Sequence, residues 1–99
     1  MEYKIKFNGE VVAAFKDQCD RDASFKALTA FWYVCAYRFE SFNSVAPSLT
    51  LKNEIKFNGE VIATFKNQAD AEVSFKGLID TSPYNKKTLE VVYYRGMSV

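Results

Sequence analysis

Between residues 5 and 16 the chain reads IKFNGEVVAAFK, apolar and polar positions alternating about an Asn-Gly pair, and residues 55 to 66 repeat it as IKFNGEVIATFK. Residues 5–28 align with 55–78 without a gap, and sixteen of the twenty-four positions are identical. Asn-Gly between alternating runs predicts a two-residue hairpin, because a type I′ turn needs positive φ at both central positions. A two-residue loop pairs Phe7 with Glu10 and Ile5 with Val12. That register puts Ile5, Phe7 and Val12 on one face and Lys4, Lys6, Val11, Ala13 and Phe15 on the other. The first strand is half polar and the second apolar on both faces, which predicts an edge strand beside a more central one.

After Phe15 and Phe65 the apolar period lengthens from two to nearly four. Ala71, Phe75, Leu78 and Ile79 form a helical stripe in the second copy, and Phe25, Leu28, Trp32, Cys35 and Phe39 a longer one in the first. Asp17 and Asn67 are the expected N-caps, with Asp20 and Asp70 in the first turn, where negative charge is favoured. The stretch TAFWYVCAYRFESF has no Gly or Pro, so the first helix is expected to run to about residue 41. The second stops near Gly77 to Pro83, and TLEVVYYRG reads as a last strand.

The expected fold is α+β: two ββα repeats plus a C-terminal strand, one antiparallel sheet with two helices packed on one face. The 99 residues make a single domain, with repeat units 3–42 and 53–80, a linker at 43–52, an extended lead into the second hairpin, and a strand at 88–96.

Composition removes most chemistry. There is no histidine, so the usual neutral-pH base, the commonest metal ligand and the Ser-His and Cys-His pairs are missing. No Cys-x-x-Cys offers a zinc site, and the four scattered glycines build neither a phosphate loop nor a dinucleotide fingerprint. The expectation is a protein that is not an enzyme, with no cofactor and no small-molecule substrate. If Cys19 and Cys35 share one helix, about 1.5 Å of rise per residue separates them by roughly 24 Å, so they are expected to be free thiols. No apolar run approaches the roughly 18 residues of a membrane span, and the expected location is cytoplasmic, with no membrane partner.

Thirteen basic residues against twelve acidic ones give no general field toward nucleic acid or membrane. Aromatic content of 16% exceeds what a small core needs, so some rings are expected to meet a partner. On the expected long helix, Tyr33 and Tyr37 lie opposite the buried stripe, in line with Lys26 and Glu40. Tyrosines flanked by charges have the composition of a protein-binding hot spot, and Tyr93, Tyr94 and Arg95 form a second candidate. Lys6, Lys16, Lys56 and Lys66 recur among phenylalanines, the mixture used by single-strand nucleic-acid binders. A self-associating structural protein, such as a homodimer, is a further expectation.

The hairpin-then-helix pattern FNGEVVAAFK…D…SFKAL resembles small accessory proteins of phages and mobile elements, of the anti-CRISPR and host-inhibitor type. The resemblance implies a non-enzymatic inhibitor that sterically blocks a host protein or nucleoprotein complex.

Overall fold

The computed structural model describes residues 2–44, 53–80, 84 and 88–92. Its described elements, in chain order, are β1 (Glu2–Phe7), β2 (Glu10–Phe15), α1 (Gln18–Phe31), a 3₁₀ segment (Tyr33–Arg38), β3 (Phe39–Ser44), β4 (Asn53–Phe57), β5 (Glu60–Phe65), α2 (Gln68–Leu78) and β6 (Leu89–Val92). The fold is α+β: the six strands form one antiparallel sheet ordered β3-β1-β2-β5-β4-β6, with α1 and α2 packed against it.

The turns are those the sequence demands. Asn8 and Gly9 sit at φ of 54° and 80°, and Asn58 and Gly59 at 51° and 88°. These are the left-handed values that Asn and Gly adopt most cheaply. Register departs from the simple hairpin. Lys6 pairs with Val11 but Ile5 pairs with Ala13, leaving Val12 as an extra residue, and Ile62 is the matching extra residue in the second hairpin. A bulge of this kind resets the alternation, so Val12, Ala13 and Phe15 are all buried in the core with Ile5. Ala13 and Phe15 therefore do not face away from Ile5 as a regular hairpin would require.

Two further expectations are corrected. The first helix ends at Phe31, short of residue 41. Trp32, at ψ 46°, leaves helical space, the 3₁₀ segment kinks at Cys35, and the chain re-enters the sheet as β3. Aromatic and β-branched residues crowd this stretch, and they hold a helix less well than they hold a strand. Residues 43 and 44 thus belong to β3 and not to a linker. With β3 and β6 outside them, β1 and β4 are interior strands and not edges. Residues 45–52 and 93–96, which include most of the expected linker and the end of the expected last strand, lie outside the described residues.

The two halves are one unit repeated at an offset of fifty positions. Ala14 pairs with Thr64 across β2 and β5, fifty positions apart, so a pseudo-two-fold axis passes between them. The relation extends beyond the duplicated sequence. Phe7 pairs with Phe39 and Phe57 with Leu89, the Asn8 amide donates to the Arg38 carbonyl at 3.1 Å, and the Asn58 amide donates to the Thr88 carbonyl at 3.0 Å. Each half is thus ββαβ. On the axis Phe15 and Phe65 meet edge to face, 5.5 Å between centroids at 87°, a geometry worth about 0.5–1.5 kcal/mol beyond area burial. Above them the helices touch so closely that a Cβ on Gly77 would lie 2.8 Å from that of Ala27.

Candidate functional site

The corrected path of residues 32–44 relocates the proposed partner surface. Lys26 lies on α1, Tyr33 and Tyr37 on the 3₁₀ segment and Glu40 on β3, paired with Lys6. The four therefore share no helical face. Instead the chain exposes a continuous apolar turn. Phe31 is 57% exposed, Trp32 37%, and Tyr33, Val34 and Tyr37 78% each. Trp32, expected in the buried stripe, belongs to this surface together with Phe31, their rings edge to face at 4.9 Å. Sequence reasoning missed them because it extended the helix. Phe39, on the same expected stripe, is buried, but from β3, where it meets Phe7 at 4.8 Å. Tyr93, Tyr94 and Arg95 lie outside the described residues.

Beside this turn lies a groove of about 260 Å³, lined by Phe7, Val12, Trp32, Cys35 and Phe39 and by the polar Asn67 and Asp70. Asp70 is only 6% exposed. Its carboxylate accepts from the Trp32 indole N–H at 3.2 Å and from Asn67 Nδ2 at 3.3 Å. The related carboxylate, Asp20, is 4% exposed and accepts from the Tyr84 hydroxyl at 2.7 Å. Burial pushes Asp20 above its ordinary pKa of 3.8, donation from Tyr84 pulls it back in part, and the charge of Asp17 adds to the rise. Burial and the hydrogen bond to Asp20 likewise raise the Tyr84 phenol, which stays protonated as the donor. Each carboxylate sits in the first turn of its helix, as expected from the favourable N-terminal dipole, but the side chains of Asp17 and Asn67 make no capping hydrogen bond. Aromatic donors from the opposite half satisfy the two acids.

The repeated lysines hold equivalent positions in the two halves. Lys6 and Lys56 alternate with the core-facing Ile5, Phe7, Ile55 and Phe57 on β1 and β4, and Lys16 and Lys66 stand just beyond the ends of β2 and β5. Lys16 Nζ lies 3.0 Å from Glu60, Lys66 pairs with Glu10, and Lys6 Nζ stands 4.5 Å from the Phe42 ring centroid. Two of the four lysines therefore carry an acidic partner already.

Arg21, in contrast, is buried and ties α1 to β3, donating to the Phe42 carbonyl at 3.1 Å and to Asn43 Oδ1 at 2.9 Å. Cys19 and Cys35 are free, on α1 and in the 3₁₀ segment and not on one helix as the sequence suggested. Among the described residues no group of three Cys, Asp or Glu could hold a metal ion, and no helix is long and apolar enough to cross a membrane. Comparison with family models, with curated proteins and with solved structures returns no match.

Proposed function

We propose that this protein is a non-enzymatic protein-binding module that engages its partner through residues 31–37. The observation that carries the reading is the exposed run Phe31, Trp32, Tyr33, Val34 and Tyr37. A small protein leaves this much contiguous aromatic surface in water when another protein covers it in use. The run is held on a rigid base, because Trp32 is hydrogen-bonded to Asp70 and Phe39 is anchored against Phe7. Rings fixed in this way lose little entropy on binding. Steric occlusion of a host protein or nucleoprotein complex, the role implied by the resemblance to phage inhibitors, is the mode of action we favour. The test is capture from a host lysate with wild-type protein and with Tyr33→Ala/Tyr37→Ala as baits. Loss of the captured partner by the double variant supports the reading, and retention at wild-type affinity ends it.

A second reading, a single-stranded nucleic-acid binder, rests on the recurrence of Lys6, Lys16, Lys56 and Lys66 among phenylalanines in the two halves. It requires oligonucleotide binding that weakens steeply with salt. Absence of binding at low salt removes it.

A further inference from the structure

Strand β3 forms one edge of the sheet, and its outward hydrogen-bonding groups can be placed residue by residue. The Asn8 amide donates to the Arg38 carbonyl, and the β1–β3 register runs from Phe7↔Phe39 to Glu2↔Ser44 without a shift. The backbone N–H and C=O of successive strand residues turn to alternate sides. Arg38, Glu40 and Phe42 therefore address β1, and Phe39, Ser41 and Asn43 face away from it. The Phe39 amide donates to the Ala36 carbonyl, while Glu40, Ser41 and Asn43 are exposed. Such an edge is a template for another strand, and proteins blunt it with Lys, Pro or a bulge. The sequence of β3, FESFNS, has neither Lys nor Pro, and the bulges of this sheet fall in the β1–β2 and β4–β5 ladders instead.

We infer that β3 is the interface between two copies of this chain, pairing antiparallel with itself across a two-fold axis at Ser41. Centring on Ser41 sets Phe39 opposite Asn43 of the second copy, and it is the one register in which every outward residue finds an outward partner. The hydrogen bonds are reciprocal: each Ser41 amide donates to the Ser41 carbonyl opposite, and each Asn43 amide to the Phe39 carbonyl opposite. The bond from Phe39 to Ala36 stays intact. Charge complementarity favours the same register. Glu40 pairs with Lys6 and Phe42 with Lys4, so a row across the joined edge reads Lys6, Glu40, Phe42, Lys4, the last two from the second copy. Glu40 thus stands between basic residues of both copies, and Lys6 Nζ already lies 4.5 Å from the Phe42 ring centroid of its own chain. On the other side of the sheet the axis falls on Ser41, a side chain small enough for close approach, and Arg21 holds Asn43 at 2.9 Å. The same strand serves both copies, so the assembly closes at two. This inference uses β3 and does not depend on the partner-binding reading of residues 31–37.

The test is sedimentation of the full chain over a range of concentrations, with amide hydrogen exchange as a second readout. We expect a monomer–dimer equilibrium, and slowed exchange of the Ser41 and Asn43 amides in the dimer. Ser41→Pro removes an outward donor and leaves the β1 ladder its bonds, so it should weaken the dimer by more than about tenfold with circular dichroism unchanged. Should that variant fail to fold, cross-linking in a Cys19→Ser/Cys35→Ser background tests the register. Ser41→Cys brings its own position in the second copy to a Cα separation of about 5.5 Å, within disulfide reach. Asn43 lies opposite Phe39, so the Asn43→Cys positions are offset by roughly 13 Å along the strands. The first variant should oxidise to a covalent dimer much faster than the second. A monomer at every concentration, a dimer that folded Ser41→Pro leaves unchanged, or equal cross-linking rates would overturn the proposal. Mass that grows without limit would assign β3 to β6 of another copy, in an open-ended sheet, and would overturn it too.

Discussion

The two halves share turns, bulges, helix starts and core, yet they end their helices differently. After α2 the chain passes through Tyr84, whose ring meets Phe57 and whose hydroxyl satisfies Asp20. After α1 it passes through Phe31 to Tyr37, where Trp32 reaches Asp70 but the other large side chains stay in solvent. The difference separates the shared scaffold from the exposed aromatic turn. Positions needed for the sheet and helix contact are kept in both halves, whereas the surface we propose for a partner arises where the halves part. Arg21 repeats the lesson on a smaller scale: it fastens α1 to β3, and Ala71, the residue fifty positions on, is simply core.

The largest expected effect lies where the halves meet. Gly77→Ala should destabilise the protein by about 1–3 kcal/mol, because the new methyl meets Ala27 at 2.8 Å, and overpacking outweighs a gain in helix propensity of at most about 1 kcal/mol. Exchanging the two residues, Ala27→Gly with Gly77→Ala, should restore most of the loss in denaturant unfolding. A swap no more stable than Gly77→Ala would break the proposed equivalence of the helices.

Next comes the Tyr84–Asp20 hydrogen bond. Tyr84→Phe should cost about 1–3 kcal/mol at neutral pH by leaving the buried Asp20 carboxylate without its donor. The pH dependence has a definite sign. Because the folded-state pKa of Asp20 is raised above 3.8, the native state binds the proton more tightly than the unfolded state. This group's contribution to stability is greatest below the unfolded value and falls as pH rises through the folded one. Asp20→Asn should flatten that part of the stability-pH curve, measured by thermal unfolding across the acid range, while unchanged curvature would contradict the assignment.

A smaller and opposite effect is expected at Ser24 and Ser74, equivalent positions that are both fully buried with hydroxyls lacking a partner among the described residues. Ser24→Ala and Ser74→Ala should each stabilise the fold by about 1 kcal/mol by removing a buried group that water would have bonded. A loss at either position would show that the hydroxyl has a role the geometry does not reveal. Smallest of all, Tyr33→Ala/Tyr37→Ala should leave stability within about 0.5 kcal/mol of wild type, since both rings are 78% exposed.

Much of this comparison was legible in the sequence. The two Asn-Gly turns, the helix starts after Asp17 and Asn67, and the Ala71, Leu78 and Leu28 stripes follow from local turn chemistry and periodicity, which the tertiary structure leaves intact. The bulges at Val12 and Ile62 were hidden, because an apolar run such as VVAAF satisfies either register. Strand β3 was missed because Trp32, Cys35 and Phe39 fit a helical stripe as well as they fit a turn and a strand. A signal did exist: Phe39 lies fifty positions before Leu89, in the segment correctly read as a strand. Carrying the repeat past its last identical residue would have turned 39–44 into β3 and placed Trp32 at a corner. The pairing of Trp32 with Asp70, and of Tyr84 with Asp20, joins one half to the other across 38 and 64 positions, and no local pattern records such a contact.

The equivalence of the two halves is tested most directly at their two aromatic donors, by denaturant unfolding of Trp32→Phe beside Tyr84→Phe. Both variants should lose stability at neutral pH, by about 1–3 kcal/mol, because each leaves a buried carboxylate without its aromatic donor from the opposite half. A loss at one position and none at the other would contradict the claim that the two halves satisfy their helix-start acids in the same way.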